Sequence, residues 1–112
     1  MDIALDTSGN VYVTDTGYST IRKITVSTGI ISILAGGGSS TAFGVAATSF
    51  SLGQMVGVAV DTAGNVYAAE IFSDRIVKVD TTGILSLFAG LFFFSMLLII
   101  HTHNVLALIL CS

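Results

Sequence analysis

The sequence predicts an all-β chain of two four-stranded antiparallel units followed by an apolar tail. Three observations predict it. First, Asp6-Thr-Ser-Gly-Asn-Val-Tyr12 returns 55 residues later as Asp61-Thr-Ala-Gly-Asn-Val-Tyr67, and Thr28-Gly-Ile-Ile-Ser-Ile-Leu-Ala-Gly36 returns as Thr82-Gly-Ile-Leu-Ser-Leu-Phe-Ala-Gly90. A repeat of this length marks one supersecondary unit stacked on its neighbour. Second, the copies break into short runs rich in β-branched residues between Gly and Asx turns, too short for helices. Third, all four Lys/Arg and all seven Asp/Glu lie at or before Asp80. The chain therefore changes character where the second copy ends.

The elements follow in the same order in each copy. Ile3-Ala-Leu5, matched by Val58-Ala-Val60, reads as a short half-buried strand ending in Asp. Asp6, Gly9 and Asn10, and again Asp61, Gly64 and Asn65, are structural turn residues. The Asp carboxylate accepts from backbone amides two residues on, and Gly supplies a positive φ. Val11-Tyr-Val13 and Val66-Tyr-Ala68 form the second strand, and Ile21-Arg-Lys-Ile24 and Ile76-Val-Lys-Val79 the third. Ile30 to Leu34 and Ile84 to Phe88 form the fourth. The repeat spacing changes by one residue between Lys23 and Thr28, in a turn that tolerates length changes. Four short antiparallel strands with regular turn signals describe one β-propeller blade. The expected organisation is a first blade over 1–36, a glycine-rich inter-blade loop over 37–53, a second blade over 54–90 and an apolar tail over 91–112. A short helical turn is expected within the loop, over Ala46 to Leu52.

The run Gly57-Val-Ala-Val-Asp-Thr-Ala-Gly-Asn-Val-Tyr67, with Arg75-Ile-Val-Lys-Val79 and Thr82-Gly-Ile84 after it, resembles the NHL repeat. The resemblance covers about residues 2–90 and implies a partial NHL-type β-propeller. Gly36 to Leu52 resembles the long inter-repeat loop of one NHL subgroup. Two blades do not close a ring, so further blades or oligomerisation are expected to cover the exposed faces and edges. Met1-Asp2 falls inside the first strand with no signal peptide ahead of it, as expected for a portion of a longer protein.

The tail admits three readings. A membrane helix needs about 20 apolar residues, and 91–110 supplies them. His101-Thr-His-Asn104 in the middle works against it. Sliding the span back to Ile84 avoids that cluster but consumes the fourth strand, so membrane contact is expected within 84–110. The alternatives are a buried strand or helix pair closing over the blade edge, and a segment foreign to the fold. For a spanning tail, Arg75 and Lys78 ahead of it place the blades in the cytoplasm. The compartment is otherwise unassigned. Cys111 is the sole cysteine, which precludes an intrachain disulfide, and the chain has no Asn-x-Ser/Thr site.

A formal charge of −3 with four basic residues argues against a nucleic-acid surface. Arg22, Lys23, Arg75 and Lys78 fall at similar places in the copies and read as solvated strand ends. Asp15 and Glu70 end equivalent strands. With Asp74 and Arg75 they form the candidate ligand-facing set. The competing reading is a wet ion pair of Glu70 or Asp74 with Arg75, worth under about 1 kcal/mol. In the NHL pattern this position is commonly Asp, followed by a loop with Asn and Arg. Here the copies carry Tyr18 and Thr20, and Ser73 and Arg75, so the pattern is kept in part.

The Asp6 and Asp61 turns lack the further carboxylates of a Ca²⁺ site. His101 and His103 lack a third and fourth ligand for zinc. Gly36-Gly-Gly-Ser-Ser40 lacks the Lys-Ser/Thr of a phosphate loop. Some NHL-type propellers are lyases with inward His ligands, but residues 1–90 contain no His. No catalytic residue, metal or cofactor is expected. The function expected is a non-catalytic scaffold that binds a protein or small ligand. The alternatives are a portion of a propeller enzyme whose catalytic residues lie in other blades, and a tail-anchored membrane sensor or adaptor.

Overall fold

Alternating β-branched residues and turns with Gly at positive φ produce two meanders. In the first, β1 (Ile3–Leu5), β2 (Val11–Asp15), β3 (Thr20–Thr25) and β4 (Ile30–Gly36) form an antiparallel sheet in chain order. In the second, β6 (Met55–Val60), β7 (Val66–Glu70), β8 (Arg75–Val79) and β9 (Ile84–Gly90) do the same. Here β5 (Val45–Ala46) adds a fifth strand outside β9. This computed structural model describes residues 2–15, 17–70, 75–90, 96–101 and 106–111, with side chains through Phe88.

The two sheets repeat each other in register. Leu5 pairs with Val11 and Val11 with Ile24, as Val60 pairs with Val66 and Val66 with Val79. The third and fourth strands bulge at matching places, between Ile21 and Arg22 and between Ile76 and Val77. A shared bulge is a designed feature of the unit, because the extra residue bends and re-aims the outer strand.

Successive strand residues point to opposite faces, so each sheet has a tyrosine face and an aliphatic face. The core joins the tyrosine face of the first sheet to the aliphatic face of the second. Ala4, Tyr12, Ile21 and Ala35 meet Val58, Val60, Val66, Ala68, Val77, Val79 and Leu85. β1 and β2 lie against β6. Burial of each large aliphatic side chain contributes about 1.5–3 kcal/mol. A second tie is polar: the Val58 amide donates to Asp2 Oδ2 at 3.0 Å.

The segment between the sheets is part of the core rather than a free loop. A single 3-10 turn, Ala47–Ser49, stands within the stretch expected to be helical. It delivers Phe50, Leu52 and Met55 into the buried cluster. Gly36 sits at φ +88°, where a Cβ would collide with the Ser19 carbonyl and approach Thr20 Cα to 3.1 Å.

The tail differs from the helical expectation. β10 (Met96–His101) and β11 (Leu106–Cys111) form an antiparallel pair, and Ile84–Gly90 is already hydrogen-bonded to β8 as a strand. Backbone groups committed to a sheet ladder are unavailable to a helix, so a helix over Ile84–Ile100 is excluded in this fold. Among the described residues no helix is long and apolar enough to cross a membrane. β11 lies against β6 and β7.

Candidate binding site

The strand ends define two functional candidates at opposite ends of the sheets. At the first end are the Asx turns. Asp6 Oδ1 accepts from the Ser8 and Asn10 amides, both at 2.9 Å, and Oδ2 from Asn10 Nδ2 at 3.0 Å and Tyr12 Oη at 2.9 Å. Asp61 repeats the pattern with the Asn65 amide at 2.8 Å, Asn65 Nδ2 at 3.0 Å and Tyr67 Oη at 3.0 Å. Gly9 and Gly64 close these turns at φ +84° and +95°.

Desolvation would raise both Asp pKa values, but the hydrogen bonds together outweigh it and hold them below the ordinary range. The same contacts act in reverse on the tyrosines. Burial first, then the neighbouring carboxylate, pushes Tyr12 and Tyr67 up to about 12. With their acceptor positions filled by their own turns, Asp6 and Asp61 are structural clamps.

At the other end are Asp15, Glu70 and Arg75 of the predicted ligand-facing set; Asp74 lies outside the described residues. Arg75 pairs with Glu70 across the β7–β8 register, and the Gly53 amide donates to Glu70 Oε2 at 2.6 Å. Glu70 is only 1% exposed and Arg75 is half-buried, which replaces the wet ion pair of the sequence reading with a partly buried one. The Arg75 guanidinium lies over the stacked rings of Phe43 and Phe50, 5.4 and 5.3 Å from their centroids. Asp15 instead pairs with Arg22 at 3.2 Å, with Nε–H poorly aimed at the carboxylate. Equivalent carboxylates thus recruit arginines from non-equivalent positions. Arg22 and Lys23 are adjacent, so they point to opposite faces of the sheet.

Between the sheets, at the Asx-turn end, runs a groove of about 400 Å³. The first sheet contributes Asp6, Tyr12, Lys23 and Leu34. The second contributes Gly64, Val66, Val79 and the turn Asp80 to Gly83. The Lys23 ammonium stands 5.7 Å from the Tyr12 ring centroid and makes no ion pair among the described residues. Asp80 Oδ1 accepts from the Thr82 amide at 2.9 Å, Thr82 Oγ1 at 2.6 Å and the Ile84 amide at 3.1 Å, while Oδ2 accepts none of these bonds. The Thr82 hydroxyl first, and then the Ile84 amide, lower the Asp80 pKa. Among the described residues, the groove therefore offers an ammonium without an ion pair at Lys23, the carboxylates of Asp6 and Asp80, and the Tyr12 ring.

The sequence pointed to the Glu70–Arg75 end and missed this groove. Lys23 and Asp80 belong to different copies, and nothing in their local spacing signals that the sheets bring them to one opening. Among the described residues no group of three His, Cys, Asp or Glu is placed to hold a metal ion. The His103 side of the tail histidine pair lies outside the described residues. No protein-family model matches the chain, and no curated protein matches it.

Proposed function

We propose that the chain is two blades of an NHL-type β-propeller and acts as a non-catalytic scaffold, binding a small zwitterion in the groove between the blades. The observation that carries this reading is the groove itself. It is walled by both repeat units, and its lining holds the Asp80 carboxylate and Lys23, which makes no ion pair among the described residues. Binding sites are concave, with a few convergent polar groups that fix orientation. The matched registers and bulges of the two meanders support the blade assignment.

The test is an NMR titration of the full chain with glycine, β-alanine and triglycine, each carrying one ammonium and one carboxylate. Amide shifts at Lys23, Thr81 and Thr82 are expected, and Lys23→Ala should remove them. No shift at these amides with any of the three probes at millimolar concentration would overturn the ligand site.

A further inference from the structure

The two units follow their third strands with the same threonine put to different use. Lys23, Ile24 and Thr25 correspond to Lys78, Val79 and Asp80, and Thr28-Gly29 corresponds to Thr82-Gly83. In the first unit the Thr28 and Gly29 amides donate to the Thr25 carbonyl at 3.2 and 2.8 Å, and the Thr28 hydroxyl donates to that same carbonyl at 3.4 Å. In the second unit Asp80 stands in place of Thr25, and the Thr82 hydroxyl donates to its Oδ1 at 2.6 Å, the short distance of a charge-assisted bond. The turn that carries the acid is the one that lines the groove; no residue of Thr25 to Gly29 does.

Three bonds fix one oxygen of Asp80 and leave the other. Oδ1 accepts from the Thr82 amide, the Thr82 hydroxyl and the Ile84 amide, and Oδ2 takes part in none of these bonds. The second carboxylate of the groove is committed, because each Asp6 oxygen already accepts two bonds from its own turn and Tyr12. An ammonium entering the groove therefore meets Asp80, and a carboxylate meets Lys23. Lys78, two residues before Asp80, attracts the Asp80 carboxylate and is not part of the groove lining. A carboxylate released from Thr82 thus has a competing cation on its own strand, outside the groove.

We propose that Thr82 is the positioning residue of the groove: its hydroxyl locks the Asp80 side chain so that Oδ2 receives the ammonium end of the ligand while Lys23 holds the carboxylate end. The contribution of Thr82 is therefore specific to one end of the ligand. Loss of the hydroxyl weakens recognition of the ammonium and leaves recognition of the carboxylate intact. The inference rests on the zwitterion reading of the groove and adds which group meets which end.

The test follows the Lys23 amide by NMR while the full chain is titrated with two probes. One is the tightest binder among glycine, β-alanine and triglycine; the other is acetate, which carries the carboxylate alone. Thr82→Val keeps the β-branched shape and the backbone amide and removes only the hydroxyl. It should weaken zwitterion binding by about threefold or more, the effect of one hydrogen bond, and leave acetate binding as in the wild type. Thr82→Ser should recover the zwitterion affinity, and Asp80→Asn should weaken it at least as much as Thr82→Val. Wild-type zwitterion affinity in Thr82→Val overturns the positioning role, as does a matching loss of acetate binding, which marks a general disturbance of the groove. No recovery in Thr82→Ser overturns the hydroxyl as the cause. Undiminished zwitterion binding by Asp80→Asn overturns Asp80 as the ammonium's partner, and no acetate binding to the wild type overturns Lys23 as the carboxylate's. A wild type that binds none of the zwitterions fails the ligand reading itself, and the inference with it.

Discussion

Tyr67 donates its hydroxyl to Asp61 Oδ2 at 3.0 Å, and the same bond joins Tyr12 to Asp6 at 2.9 Å one repeat earlier. The two bonds match in geometry but not in surroundings. Asp61 is buried and Asp6 half-buried. A hydrogen bond to a charged group contributes about 1.5–3 kcal/mol, the more when solvent cannot replace it. Tyr67→Phe should therefore destabilise the protein more than Tyr12→Phe. Urea unfolding of the two variants measures the difference, and equal costs would refute burial as its cause.

Acid sensitivity should come from the same clamps. Asp6 and Asp61 have folded pKa values lowered from the ordinary 3.8. The folded state therefore holds fewer protons than the unfolded state in that range. The stability they contribute is present above about pH 4 and is lost as pH falls through the lowered folded values. Asp61→Asn should be less stable at neutral pH, and its deficit should shrink as the pH drops below 3.8. Thermal melts of both proteins from pH 7 to pH 2.5 read this convergence. A deficit that stays constant would remove Asp61 from the acid limb.

The alkaline limb has the opposite sign. Tyr12 and Tyr67 are raised from 10.0 to about 12. Their contribution is complete below pH 10 and is lost as pH rises toward 12. Ultraviolet phenolate titration of the folded chain should show a phenolate forming at lower pH in Asp61→Asn than in the wild type, because the Asp61 carboxylate helps hold the Tyr67 hydroxyl protonated. An unchanged titration in Asp61→Asn would contradict the clamp.

Much of the fold is legible because the turns are local. Asp6 with Gly9 and Asp61 with Gly64 reach partners no more than six residues away, within the range of a sequence pattern. Strand type follows from the same locality. What the sequence hides depends on distant packing. Glu70 reads as a surface acid because its burial is set by Gly53, Phe43 and Phe50, which the inter-sheet segment brings back over Arg75. Lys23 and Asp80 meet one groove only because the sheets stack face to face. The tail hydropathy suits a membrane helix and a buried strand equally, and composition alone does not choose between them.

Arg75 is the next test. It compensates a buried carboxylate and lies over two stacked rings. Removing one partner of a buried pair costs about 3–5 kcal/mol, whereas replacing both with apolar groups is often neutral. Arg75→Ala should approach that loss, and Glu70→Leu with Arg75→Met should recover most of it. Arg75→Lys should fall between, because an ammonium loses the planar fork and the ring stacking. Urea midpoints order the three variants. Wild-type stability in Arg75→Ala would show that the ion pair carries nothing.

Gly38 links that ion pair to the inter-sheet segment. Its amide donates to the Phe50 carbonyl at 3.2 Å; alongside, the Ser40 amide donates to the Ser49 carbonyl at 2.9 Å and the Ser51 amide to the Ser40 carbonyl at 2.8 Å. A Cβ on Gly38 would overlap the Ser49 backbone. Gly38→Ala must therefore push residues 49–51 away and displace Phe50, which is fully buried and lies beneath the Arg75 guanidinium. Gly29 is a control of a different kind: a Cβ there meets nothing within 4 Å, but φ is +72°. Gly29→Ala should cost roughly 1–2 kcal/mol of local backbone strain. Gly38→Ala should cost about 1–3 kcal/mol of forced displacement. The totals overlap, so the discriminating quantity is coupling. In a double-mutant cycle with Arg75→Ala, Gly29→Ala should be additive within about 0.5 kcal/mol, and Gly38→Ala should deviate by more. Additivity for both glycines would mean that the inter-sheet segment and the Glu70–Arg75 pair are independent.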